Sequence, residues 1–312
     1  MSRRPARIAV PSAPAFEPSA HHGAFALVGD EVWLSAPRGI VVCALPTLEH
    51  TGAIELPERV DGLAVSADAR LLAVYSDDGS TRRITIRDAR TRALLATLEG
   101  DDIIAADVAL SATGKYLALT SPTRSRVWRL DERGAPVASA RSVHGLVAFA
   151  PDERRVAIGT PRHLALLDLD DPRDLPFELL PTGWFVDALA WLGDGSLVAG
   201  AFRRFRGDES CVAGLELAHD GLGFAVHLDD PTDDVSGLAF SPSGALAVQR
   251  RAGRILEESS LTRCSFEGRP GAVAWWGERT IVAGKARPVV VDAESGRTIA
   301  AYPSAPGAHR PR

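Results

Sequence analysis

The stretch LAVSADARLLAV, Leu63 to Val74, runs apolar-alanine-apolar, then a polar turn, then a short apolar run, and it is not alone in the chain. The pattern returns as VALSATGKYLAL from Val108, VAFAPDERRVAI from Val147, LAWLGDGSLVAG from Leu189, LAFSPSGALAV from Leu238 and VAWWGERTIVAG from Val273. A fainter copy, FALVGDEVWLSA, opens the series at Phe25. The second residue of every copy is alanine: Ala26, Ala64, Ala109, Ala148, Ala190, Ala239 and Ala274. Their mean separation is about 41 residues, the period at which four-stranded units repeat around an axis.

Each copy is built from short Val/Ile/Leu-rich runs punctuated by Gly, Pro, Asp and Ser, as antiparallel hairpins require. No long segment keeps a 3.6-residue period, so few helices are expected. The expected fold is all-β, a seven-bladed β-propeller of four-stranded antiparallel blades. The repeated alanine suits the innermost strand, where converging strands leave no room for bulk. The next strand, such as Leu71 to Tyr75, is apolar on both faces because a neighbouring blade covers each side. In ITIRDARTRALLATLEG, Ile84 to Asp88 is expected as the third strand of the second blade and Ala93 to Leu98 as the fourth. Asp88 then ends a strand, its carboxylate accepting backbone N–H bonds in a turn.

DDGSTRRITIRDARTRALLATLEG is similar to the WD40 repeat, with its Asp-Gly turn, third strand ending in Trp-Asp and closing strand. Comparable endings occur around Asp131, Asp168 and Asp292. The resemblance spans roughly Ala24 to Tyr302 and implies a propeller that presents loops to protein partners. Arg87 replaces the signature tryptophan, and Gly100-Asp101 stands where a Gly-His dipeptide would open the third blade, so the family's buried Asp-His-Ser/Thr-Trp network does not carry over.

The domain organisation expected is an N-terminal tail over 1–23, one propeller over 24–303 and a C-terminal tail over 304–312. RIAV, Arg7 to Val10, is a candidate closing strand on the last blade, which otherwise reads as complete from Ala272 to Tyr302. The net charge of −5 argues against a general nucleic-acid binder, which needs excess cations to displace condensed counterions. No run approaches the length that crosses a bilayer, and the arginines near the start precede prolines rather than an export signal's apolar run. Cys43, Cys211 and Cys264 are widely spaced with no C-x-x-C pair, which suggests neither a disulfide framework nor a zinc site and fits a reducing cytoplasm. Among 35 basic residues only Lys115 and Lys285 are lysine, a bias expected of a GC-rich bacterial genome.

No Gly-x-Ser-x-Gly elbow, P-loop, His-Glu-x-x-His or dinucleotide fingerprint is present, so no catalytic residue, cofactor or metal ligand is assigned. His21-His22 lack nearby partners, and His144, His163, His219 and His227 fall in separate segments. Asp77-Asp78, Asp170-Asp171, Asp229-Asp230 and Asp233-Asp234 flank Gly or Pro or lie between blades, so they read as turn-forming or solvated. The alternative, a lactonase-like or metal-dependent hydrolase working in the central channel, would need carboxylates or imidazoles on the inner strands, which offer mainly Ala, Leu, Val, Phe and Trp.

Charge divides by loop type. Segments between second and third strands carry Arg38, Arg82, Arg124, Arg162, Arg203-Arg204-Arg206, Arg250-Arg251 and Lys285/Arg287. Several segments between blades carry acids: Glu58, Glu99-Asp101-Asp102, Asp229-Asp230-Asp233-Asp234 and Glu267. Both sets leave a propeller on the same face. The plainer reading is a ring of solvated or weakly paired charges; the functional one is a face that recognises an acidic or arginine-binding protein. AFRRFRGDESCVAG, Ala201 to Gly214, lengthens the fifth hairpin and sets Phe202 and Phe205 among three arginines, residue types enriched at binding hot spots. Trp184 and Phe185 are expected in the loop before that blade, packing into the core or facing a partner. For Trp275-Trp276, strand alternation buries one and sends the other to the channel or a turn. The candidate partner-binding residues are Arg82, Arg124, Arg162, Trp184, Phe185, Arg203, Arg204, Phe205, Arg206, Arg250 and Arg251, with the oligomeric state open.

Overall fold

Hairpin follows hairpin through the described residues from Phe25 to Ala301. In the computed structural model, the residues described are 25–100, 103, 107–121, 124–132, 136–141, 146–159, 164–170, 175–177, 184–195, 197–204, 210–218, 221–229, 235, 237–249, 252–256, 262–267, 272–284 and 287–302. They form seven four-stranded antiparallel sheets, each contiguous in sequence. Blade 1 is β1 to β4 (Phe25–Val28, Glu31–Ala36, Gly39–Ala44, Glu49–Glu55), and blade 2 is β5 to β8 (Gly62–Val65, Leu71–Asp77, Arg82–Asp88, Leu94–Glu99). Blade 3 is β9 to β12 (Asp107–Leu110, Tyr116–Thr120, Arg124–Arg129, Ala138–Arg141), and blade 4 is β13 to β16 (Val147–Phe149, Arg155–Gly159, Leu164–Asp168, Leu175–Phe177). Blade 5 is β17 to β20 (Trp184–Trp191, Leu197–Arg204, Ser210–Ala218, Gly221–Asp229), and blade 6 is β21 to β24 (Gly237–Phe240, Leu246–Gln249, Ala252–Leu256, Thr262–Glu267). Blade 7 is β25 to β28 (Ala272–Trp276, Thr280–Gly284, Val289–Asp292, Thr298–Ala301). The fold is an all-β propeller of four-stranded antiparallel blades. Arg7 to Val10 lies outside the described residues.

The first strands contact one another in order, and β25 contacts β1. The repeated alanines sit on these strands, and five of them face a second alanine across the ladder: Ala64 and Ala73, Ala109 and Ala118, Ala148 and Ala157, Ala190 and Ala199, Ala239 and Ala247. Small side chains on both strands let the blades converge. The next strands are covered on both faces. Leu72 and Val74 of β6 pack against blade 1, while Ala73 and Tyr75 pack against blade 3.

The core lies between blades. One apolar cluster joins Tyr75 and Ile84 to Leu117 and Trp128, and another joins Val41 and Cys43 to Val282 and Val290 across the boundary of blades 7 and 1. The third residue of the repeat packs on the preceding blade. In two blades it is a tryptophan whose indole N–H also reaches that blade's alanine carbonyl: Trp191 to Ala148 at 3.0 Å and Trp275 to Ala239 at 2.9 Å. Trp276 turns the other way, packs against blade 1 and donates to Asp30 Oδ1 at 3.3 Å. Strand alternation therefore sends the two adjacent tryptophans to two different blade boundaries, and neither is left for the channel.

In blades 2, 3 and 6 the turn after the first strand is built on a serine that the repeat contains. Ser66, Ser111 and Ser241 are buried, and each hydroxyl accepts a backbone N–H from the start of the next strand or the residue before it, Leu71 at 2.9 Å, Tyr116 at 3.0 Å and Ala245 at 3.0 Å. Turns at this position also link neighbouring blades. The Glu153 carboxylate accepts from the Thr113 hydroxyl at 2.7 Å, the Arg155 guanidinium donates to Gly195 O at 3.2 Å, and Ser243 N donates to Glu278 at 3.2 Å. Glu153 holds this position at φ 55°, where the equivalent turns of blades 3, 5 and 6 use Gly114, Gly195 and Gly244.

At the other turn of the same face, the strand-ending aspartates act as caps. Asp88 Oδ1 accepts from Thr91 N at 2.6 Å and from the Thr91 hydroxyl at 2.8 Å, which hold its carboxyl below the usual range. Asp292 does the same with the Ser295 hydroxyl at 2.6 Å and Ser295 N at 2.8 Å. Asp168 occupies the equivalent register, opposite Arg155 as Asp88 is opposite Leu71. Asp131 does not. Arg129 pairs with Tyr116 at that register, so Asp131 lies two residues past the site, in the turn.

Candidate functional site

The second-to-third-strand segments and the connectors between blades emerge together, opposite the serine turns. On blade 2 they form a connected set. Arg82 opens β7 and pairs through Nε with Asp77 Oδ2 at 3.1 Å. Asp77 Oδ1 accepts from Gly79 N at 2.9 Å; this bond and then Arg82 hold its carboxyl below the ordinary range. Asp77 N donates to Asp61 Oδ2 at 2.9 Å, and Asp61 pairs with Arg59 at 2.7 Å, which ties the blade 1–2 connector to the loop of blade 2. Asp78 caps the same loop, accepting from Thr81 N at 2.6 Å. Arg124 opens β11 and is exposed, as is Arg38 in the turn before β3.

One acid of the connectors behaves differently from the solvated ring expected of it. Glu58 is buried, and its Oε1 accepts from the Thr85 hydroxyl at 2.7 Å and from Arg87 Nη2 at 2.8 Å and Nε at 3.1 Å. Oε2 accepts from Nη2 at 3.0 Å. Burial pushes the Glu58 carboxyl up, but the bonds from Thr85 and Arg87 and the Arg87 charge outweigh it, and the net shift is downward. Arg87 stands where the WD40 repeat has tryptophan. It faces blade 1 as Trp128 of blade 3 faces blade 2, and an ion pair replaces the indole.

Blade 5 changes the placement of Trp184 and Phe185. Both were expected in a loop. They are instead the first residues of β17, because the inner hairpin of this blade continues past the point where the others stop: Gly62 is the first paired residue of β5, and Ala188 is its counterpart. The ladder sets Trp184 opposite Arg204 and Phe185 opposite Arg203, bringing together two segments read separately in the sequence. A bulge between Val186 and Ala188 re-aims the strand as it leaves the ring. Val186 is buried against blade 4, and a methyl placed on Gly159 would meet its Cβ at 3.0 Å. Arg203 and Ser210 are the last pair of the lengthened hairpin.

Arg162, Phe205, Arg206, Arg250 and Arg251 lie outside the described residues, as do Asp101, Asp102, Asp230, Asp233, Asp234 and Lys285. Among the described residues no group of three or more His, Cys, Asp and Glu is gathered as a metal site. Burial raises the Cys43 thiol to about 11, so it is an unreactive core thiol.

No protein-family model and no curated protein matches this sequence. Solved structures do match its fold. The β-propeller domain of Myceliophteria thermophila Cps50 (Swd1) superposes with a TM-score of 0.68 at 12% identity, covering 89% of this chain and 99% of that one. Kuenenia stuttgartiensis hydrazine synthase gives 0.69 at 13% identity over 92% and 99%. Kluyvelomyces marxianus Hsv2 gives 0.64 at 14% identity over 84% and 89%. The chain is thus similar to WD40-type β-propellers in fold.

Proposed function

We propose that this chain is a non-enzymatic, closed seven-bladed WD40-like propeller that acts in the cytoplasm as a scaffold for a protein partner. The register on blade 5 carries the reading: Trp184, Phe185, Arg203 and Arg204 are cross-strand neighbours at the end of a hairpin that outruns its counterparts. Aromatic and arginine residues dominate binding hot spots. Sites on strands are also more precisely held than sites on loops. The exposed Arg38 and Arg124 extend positive charge around the same face, which favours an acidic partner. The propeller fold alone does not select this function, since an enzyme, hydrazine synthase, is among the matched folds.

The test is affinity purification of the tagged chain from native cells, beside a variant carrying Arg203→Ala, Arg204→Ala and Arg206→Ala. A partner retained by the wild type is expected to fall about tenfold or more with the variant. Equal recovery removes blade 5 as the docking site. A partner that proves to be nucleic acid, released steeply by salt, overturns the protein-scaffold reading.

A further inference from the structure

The outer edge of blade 2 differs from that of blade 1. β8 ends its sheet, so one row of its backbone N–H and C=O groups faces away from the ladder. Leu94 and Leu95 are each 54% exposed, and Ile299 on the edge of blade 7 is 48% exposed. From Ala93 to Leu98 the edge carries no charge, proline or glycine, the usual devices against edge-to-edge pairing. β4 of blade 1, in contrast, carries Glu49, His50, Gly52 and Glu55. The ladder between β7 and β8 shifts at Leu95, an extra residue that leaves two leucines side by side on the rim.

The two ends of this apolar edge are oppositely charged. Arg92 precedes it and Glu99 closes it; both are exposed, and neither is ion-paired among the described residues. Arg83 stands opposite Glu99 in the ladder without pairing to it. A strand with a cation at one end and an anion at the other complements an antiparallel copy of itself, because each Arg92 end then lies beside the Glu99 end of the other. Parallel pairing would set like charges together.

We propose that β8 pairs antiparallel with β8 of a second copy of this chain about a twofold axis, covering Leu94 and Leu95 and joining Arg92 to Glu99 at both ends. The contact is isologous and closes as a dimer. It is much smaller than the roughly 1,600 Å² of a standard interface, so the dimer is weak and concentration-dependent. The surface is distinct from the arginine face, and either can fail without the other.

Sedimentation velocity on the full chain, across about two decades of concentration around the micromolar range, reads it out. The wild type is expected to pass from monomer to dimer. Arg92→Glu and Glu99→Arg each weaken self-association about tenfold, since each sets like charges together at both ends. An equimolar mixture of the two variants regains the dimer, because every end again pairs opposite charges. Leu95→Lys abolishes it, and melting curves unchanged from wild type show that each variant is folded. A wild type that stays monomeric throughout, as expected if another segment or partner covers the edge, overturns the proposal. So does a dimer indifferent to both charge reversals, or a mixture that does not recover.

Discussion

Blade 1 meets a neighbour on each side, and the two boundaries are closed by different chemistry at equivalent positions. Against blade 7 the third-strand residue is Cys43, an apolar thiol among Val32, Val41, Val282 and Val290. Between blades 1 and 2 the same register holds Arg87, whose guanidinium is fixed on Glu58 and whose Nη1 also donates to Arg92 O at 3.1 Å. The first boundary tolerates modest changes of shape. The second depends on every member of its polar set, since either charge left alone is buried without its partner. A buried ion pair is weak evidence of net stability, because desolvating both charges offsets much of their attraction; Glu58 lies in the connector, so the pair ties the entry to blade 2 to its third strand.

The largest expected effect separates these terms. Arg87→Leu or Glu58→Leu alone should cost about 3–5 kcal/mol, because each strands the opposite charge. Replacing both, with Thr85→Val to remove the hydroxyl that also bonds Glu58, should recover most of that loss and can exceed wild type by about 1 kcal/mol or more. Urea unfolding of the three variants gives the comparison directly. Single variants within 1 kcal/mol of wild type would mean that water reaches the pair and that the two boundaries are energetically alike.

Much of this architecture could be read from the sequence. The alanine recurring about every 41 residues located all the inner strands, since only small residues fit where strands converge. The serine two residues after each of Ala64, Ala109 and Ala239 was visible too, but its role as a turn anchor appears only once its hydroxyl is seen accepting a strand N–H. The Glu58–Arg87 pair was out of reach. The two residues are 29 apart, and Pro57-Glu58-Arg59 has the composition of a solvated loop. The clue was an arginine at an inward-facing position, which must find an acid. Trp184 and Phe185 misled for a related reason: the Pro-Thr-Gly before them signals a break, whereas pairing to the lengthened β18 makes them strand. Local composition marks where a chain turns, and the length of the opposite strand decides where it stops turning.

Acid distinguishes the boundaries next. The Glu58 carboxyl is held below its ordinary value in the folded protein, so its contribution is fully present above the unfolded value of about 4.3 and is lost as pH falls through the folded value. Asp88, Asp292 and Asp77 are lowered as well and add to the acid limb of the whole protein. Subtracting the stability of the triple variant Glu58→Leu, Arg87→Leu, Thr85→Val isolates the pair. The difference should move toward the variant between roughly pH 6 and pH 3. A difference that is flat over that window would mean that Glu58 titrates in the fold as it does unfolded.

The smallest effect probes the other side of blade 1. Trp276→Phe removes the indole bond to Asp30, which is exposed and 3.3 Å long, and should cost about 1 kcal/mol, the typical net worth of a hydrogen bond. Cys43 makes so small a change measurable. In a Cys211→Ser, Cys264→Ser background its buried thiol is labelled only when the boundary of blades 7 and 1 opens. Trp276→Phe should then speed labelling up to about fivefold, the equivalent of 1 kcal/mol. Arg87→Leu weakens the opposite boundary and, if the two open separately, should speed labelling far less than its larger cost to stability implies. Labelling that instead follows global stability in both variants would show that a closed ring gives up its boundaries together, and that their different chemistry is felt only by the whole.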